Sequence, residues 1–160
     1  MLSALRRCAP CCWPDMRRLG AWIDPPRGPA PFHALAPLLE HWPRLESLAI
    51  EAYGLDGDDL VPLTDALGAS CTALQELVLQ GTATEQVWAH IGMLTRALPR
   101  LRRLNLSMPL PGAKQAPMPM PEGVEQALGA AELPALEELN LEQNCLGAAG
   151  AAGLGRAAAT

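Results

Sequence analysis

Aromatic residues are scarce in this 160-residue chain, at 4%, and neither sign of charge dominates, the net being −5. A nucleic-acid binder needs clustered Lys and Arg to neutralise phosphates, and a single-strand binder needs aromatic platforms for its bases. Neither supply is present, so no nucleic-acid partner is expected. Long apolar runs are missing too: nothing approaches the roughly 20 residues of a membrane span. The first residues, MLSALRRCAPCCWPDMRRL, carry arginines but no apolar h-region, so no secretory signal is expected and the chain is read as cytoplasmic. Cysteine is sparse and odd in number: Cys8, Cys11, Cys12, Cys71 and Cys145. The CAPCC cluster lacks a matching second pair, and His33, His41 and His90 stand at no ligand-like distance from it. Reduced, partly buried thiols are therefore expected, with no metal and no cofactor.

Catalytic groupings are also lacking. Asp56, Asp58 and Asp59 cluster in LDGDDL, but without the ligand spacing of a calcium loop. The expectation is that Asp58 or Asp59 caps the helix that follows. Thr82 and Glu85 have the spacing of a capping box, and His90 falls among apolar helix positions. GAAGAAGLG (147–155) has no Lys and lacks the strand–turn context of a phosphate loop. No nucleophile–base pair emerges, so the chain is not expected to be an enzyme.

What the chain does have is apolar content, 49% of residues, arranged at a fixed spacing. In LPALEELNLE (133–142), Leu136, Leu139 and Leu141 occupy positions 1, 4 and 6 of a unit with Pro at −2. The same pattern places Leu45, Leu48 and Ile50; Leu74, Leu77 and Leu79; and Leu101, Leu104 and Leu106. A degenerate first copy places Met16, Leu19 and Ala21. The units start at 16, 45, 74, 101 and 136, with steps of 29, 29, 27 and 35. Pro14, Pro43, Pro99 and Pro134 hold the −2 position, and Thr72 holds it in the third unit.

Positions 4 and 6 alternate as in a short strand with one buried face. Each unit must then return the chain to start a parallel strand, which takes a crossover of a dozen or more residues, usually helical. Helical spacing is visible in Phe32, Leu35, Leu39 and Trp42, in Leu60, Leu63 and Leu67, and in Val87, Ile91, Leu94 and Leu98. No unit can hide its apolar face alone, so the units are expected to stack as a curved solenoid.

These units resemble the leucine-rich repeat family, in its ribonuclease-inhibitor-like subclass with repeats of about 28 to 29 residues. The last copy carries the family's full pattern in Leu136, Leu139, Leu141, Asn144, Leu146, Gly150 and Leu154. The resemblance spans 16–160 and implies an α/β horseshoe segment of about five repeats, with a parallel β-sheet on the concave face and helices on the convex face. It also implies that Asn144 satisfies backbone groups where a strand ends. Asp24, Tyr53, Thr82 and Pro109 fill that slot in the earlier copies, so the turns of the second and fourth units are expected to be built differently. Residues 1–15 read as the tail of a partial repeat. Neither end carries a polar cap, which implies a piece of a longer array or a chain that self-associates through its ends. A Pro-rich insertion, SMPLPGAKQAPMPMPEG (107–123), lengthens the fourth unit and reads as a tolerated loop.

Function is therefore expected from a surface. Positions 3, 5 and 7 would line the concave face as a grid about 4.8 Å per strand. Its candidate partner-binding residues are Arg18, Trp22, Glu51, Glu76, Gln80, Arg103, Asn105, Glu138, Asn140 and Glu142. Trp22 beside arginine has the composition of an interface anchor. The resemblance implies a protein–protein interaction module with a protein partner. The alternatives are a ribonuclease-inhibitor-like enzyme inhibitor, for which the units are few and the acidity mild, and the substrate-recognition part of a ubiquitin-ligase adaptor or effector, for which no recruiting segment is seen.

Overall fold

The computed structural model describes residues 15–23, 31–52, 57–80, 90, 93–107, 135–142 and 144. It contains strands β1 (Arg18–Ile23), β2 (Ser47–Ala52), β3 (Glu76–Gln80), β4 (Arg103–Asn105) and β5 (Glu138–Asn140). Helix α1 spans Pro31–Leu39 and helix α2 spans Gly57–Ser70; residues 93–97 form a further helical turn. The chain is thus α/β, with one parallel sheet in the order β1-β2-β3-β4-β5.

The register follows the leucine spacing. Leu19 pairs with Leu48, Leu48 with Leu77, Leu77 with Leu104, and Leu104 with Leu139. Leu48 and Leu77 are fully buried and Leu104 is 1% exposed, while Leu19 and Leu139 pack half-buried at the two ends of the row. Strand alternation sends the intervening side chains to the other face, as in the half-buried, buried, half-buried sequence along β3. The apolar face meets Leu35, Leu38 and Leu39 of α1, Leu60, Leu63 and Leu67 of α2, and Leu94 in one continuous cluster. Each helix contains a proline, Pro37 or Pro62, and so forgoes a backbone hydrogen bond. Burial of the leucine stripe, about 1.5–3 kcal/mol per side chain, is what holds such helices in place. At Gly68 an added Cβ would sit 3.0 Å from the Ala97 Cβ, so the approach of α2 to the next helical turn depends on glycine.

One turn precedes β2, β3 and β4. Leu45 N donates to Trp42 O at 3.0 Å, Leu74 N to Cys71 O at 3.0 Å, and Leu101 N to Leu98 O at 3.1 Å. Before β2 and β4 the −2 proline, Pro43 or Pro99, is the second residue of that turn, where its fixed φ is preset and no N–H is required, and Thr72 takes the place before β3. Between units, one carbonyl accepts two donors. Arg17 O takes the N–H of Glu46 and Ser47, Glu46 O those of Gln75 and Glu76, Gln75 O those of Arg102 and Arg103, and Arg102 O those of Glu137 and Glu138, all at 2.8–3.0 Å.

Three sequence expectations change. Trp42 is not on α1: the helix ends at Leu39, and Trp42 opens the turn, fully buried, its N–H bonded to Leu39 O at 3.0 Å. Leu98 likewise follows the helical residues 93–97 and opens the next turn. Helix α2 begins at Gly57, which puts Asp58 and Asp59 inside its first turn, whereas a capping residue stands just outside the helix. Several expectations lie outside the described residues: the 1–14 tail, Asp24, Tyr53, Asp56, Thr82, Glu85, Val87, Ile91, Pro109, the insertion beyond Ser107, Leu146, Gly150, Leu154, and Cys8, Cys11, Cys12 and Cys145.

Candidate interaction surface

The face of the sheet opposite the leucines is a three-row grid. Its first row reads Arg18, Ser47, Glu76, Arg103 and Glu138. The second reads Gly20, Ala49, Val78, Asn105 and Asn140. The third pairs Trp22 with Glu51 and Glu51 with Gln80, and continues in sequence through Ser107 and Glu142. Arg18, Arg103, Glu138 and Glu142 are exposed, and Ser47, Glu51, Glu76, Val78 and Gln80 are half-buried. A Cβ added at Gly20 would meet nothing within 4 Å among the described residues. The Trp22 backbone belongs to β1; its side chain lies outside those described.

Hydrogen bonds organise the grid. Ser47 Oγ donates to Glu76 Oε2 at 2.8 Å, and Gln80 Nε2 donates to Ser107 Oγ at 3.1 Å. These bonds orient Glu76 and Gln80, two of the expected contact residues, through hydroxyls from neighbouring units. Asn105 and Asn140 have a structural task that sequence reasoning missed. Asn105 Oδ1 accepts the Ser107 N–H at 2.9 Å, and Asn140 Oδ1 accepts the Glu142 N–H at 2.8 Å. Each closes a local turn at the end of its strand, which fixes the orientation of the amide and occupies one lone pair of its oxygen.

A row of charge on the rim was also missed, although the unit spacing carries it. At position 2 stand Arg17, Glu46, Gln75, Arg102 and Glu137. Arg17 Nη1 lies 2.6 Å from Glu46 Oε1, and Arg102 Nη1 lies 3.2 Å from Glu137 Oε1. Immediately before position 1, two places earlier, Arg44 Nη1 pairs with Asp15 Oδ1 at 2.5 Å.

Asn144 and Cys71 are buried behind the surface. Asn144 is 3% exposed; its Nδ2 donates to Leu106 O at 2.8 Å and to Glu142 O at 3.3 Å. It thus satisfies a carbonyl just past β4, while its Oδ1 has no partner among the described residues. Cys71, a free thiol, is fully buried, with Sγ 3.8 Å from Leu39 O and 3.9 Å from Trp42 O. Burial pushes this thiol up from 9.0 to about 11. It stays protonated at neutral pH and is a core side chain, not a nucleophile.

Among the described residues, no group of three or more His, Cys, Asp or Glu is placed to hold a metal ion, and no helix is long and apolar enough to cross a membrane. A polar sheet face with charges of both signs can dock a macromolecule by complementarity. A scan of protein-family models finds no match to this chain, and a search of curated proteins finds none.

Proposed function

We propose that this chain forms a leucine-rich repeat solenoid, and that its concave sheet face binds a protein partner inside the cell. The observation that carries the reading is the open face itself: a register-locked polar grid on a sheet whose other face is packed with leucine. The backing cluster makes the platform rigid, so a partner would meet preset side chains and little ordering entropy would be lost on binding. The small side chains Gly20 and Ala49, next to Val78, form a shallow apolar strip with Arg18, Glu51 and Glu76 around it. An apolar centre with a polar rim is the usual anatomy of a protein interface. Buried, protonated Cys71 fits the intracellular setting.

The test is a pull-down with the wild-type chain beside a Trp22→Ala, Val78→Arg, Arg103→Glu variant, with circular dichroism to show that both are folded. The partner recovered by the wild type is expected to be lost from the variant. If both recover the same partner, the concave-face reading is overturned.

A further inference from the structure

We propose that copies of this chain associate head to tail, the outer edge of β5 in one copy pairing with the outer edge of β1 in the next, so that the parallel sheet continues in the same register. This goes beyond the inner-face reading and does not depend on it.

Backbone pattern is the first ground. At every internal junction, the position-2 carbonyl of one unit accepts the N–H groups at positions 2 and 3 of the next. The series of acceptors is Arg17, Glu46, Gln75 and Arg102, and the equivalent fifth carbonyl belongs to Glu137, with no strand beyond β5 among the described residues. The matching donors at the opposite edge are the N–H groups of Arg17 and Arg18. By equivalence with Glu46 and Ser47, whose N–H groups reach back to the preceding strand, these face away from β2. One edge thus presents the acceptor and the other the donors of the same bond pair.

Charge is the second ground. The β5 edge carries Glu137 and Glu138, and the β1 edge carries Arg17 and Arg18. In the proposed junction the position-2 row would read Arg102, Glu137, Arg17, Glu46, repeating the Arg–Glu contacts already present at 3.2 and 2.6 Å. The position-3 row would read Arg103, Glu138, Arg18, again alternating. Edges guarded against all pairing would carry one sign at both ends; opposite signs instead favour this partner and register.

The apolar row supplies the third ground. Leu136, Leu139 and Leu141 at β5, and Met16 and Leu19 at β1, are only partly buried against the core, whereas the equivalent leucines and Ile50 of the three inner units are at most 6% exposed. Joining the edges would bury both sets against each other. Asn144, next to β5, also has a buried Oδ1 with no donor among the described residues, and a buried acceptor left unmet costs about 1–3 kcal/mol. The contact is heterologous, so each copy added exposes the same two edges again and growth is open-ended.

Sedimentation velocity over a concentration series tests this. The wild-type mass is expected to rise with concentration, and Val78→Arg, altered on the open face, is expected to behave in the same way. Arg18→Glu puts Glu against Glu138 at the junction, and Glu138→Arg puts Arg against Arg18. Each alone is expected to weaken association about tenfold. A 1:1 mixture restores opposite charges at every junction and should recover wild-type association. Arg18→Pro removes an outward N–H at the first residue of an edge strand, a place where proline is tolerated in the fold, and should also abolish growth. Wild type that stays monomeric at millimolar concentration means that those edges have another occupant, one of the chain's own flanking segments included, and overturns the proposal. So does association that survives both charge reversals, or a mixture no better than its parts.

Discussion

Strands β1, β2 and β3 run for six, six and five residues, whereas β4 and β5 stop after three. All five start at the same place in the repeat and share one register, so the difference lies in how they end. The residue at position 5 separates the two groups. Gly20, Ala49 and Val78 offer no side-chain acceptor, and the ladder carries on through Ile50 and Leu79. Asn105 and Asn140 take the N–H two residues on, at 2.9 and 2.8 Å, and withdraw it from the ladder. A side-chain amide that bonds its own backbone competes with sheet extension, and asparagine is a weak strand former to begin with. One side chain per unit thus sets strand length, while the leucines set strand position. The two regions also differ in depth of burial, since Leu77 lies inside the row and Leu139 at its end.

The sharpest contrast is between equivalent leucines. Leu77 is fully buried, and Leu77→Ala is expected to cost about 2–5 kcal/mol through lost transfer energy and the cavity left behind. Leu139→Ala removes the same atoms from a half-buried site that water can refill, and should cost less than half as much. Urea titration gives both as shifts in midpoint at constant slope. Equal costs would mean that the second region is packed as deeply as the first, and the contrast drawn here would collapse.

A smaller effect tests the cause of the short strands. Asn105→Val removes the acceptor for the Ser107 N–H and adds a residue that favours strand. Stability is expected to change by no more than about 1 kcal/mol, the net worth of one hydrogen bond. The informative readout is conformational: backbone chemical shifts at 106 and 107 should move toward extended values and lengthen β4. Val78→Asn is the converse and should shorten β3. Shifts that stay unchanged in both variants would assign strand length to the segments that follow.

These contrasts also mark what could be read before the coordinates. The strand positions and their neighbours were legible because apolar side chains at a fixed offset must fall in one row once parallel strands align; steps of 29, 29, 27 and 35 link the paired leucines from Leu19 to Leu139. Helix ends were less legible. Trp42 and Leu98 keep the apolar spacing of the helices before them, yet the proline next to each already belongs to the turn that both residues open. On the open face, residue type alone could not separate a contact from a strut. Asn105 and Asn140 resembled partner-facing amides, because a bond to an N–H two residues away leaves no periodic trace. Charges at position 2 could have been aligned by the same unit spacing that revealed the leucines, but an exposed Arg near an exposed Glu has no apolar signal to draw notice.

The ion pairs of that row give the smallest predicted difference. Arg17–Glu46 spans β1 and β2 at 2.6 Å, with Glu46 37% exposed; Arg102–Glu137 spans β4 and β5 at 3.2 Å, with both side chains more than half exposed. Exposed pairs contribute little, since water screens the charges and ordering two long side chains costs entropy. Double-mutant cycles to Ala should therefore give a coupling of about 0.5 kcal/mol for the first pair and about 0.2 kcal/mol for the second. Both should vanish in 1 M salt, where the screening length falls to about 3 Å. A second pair as strong as the first, or couplings that persist in salt, would mean that the arginines act through their aliphatic stems packed along the sheet rim and not through charge. The row would then distinguish the two regions by packing, as the leucines do.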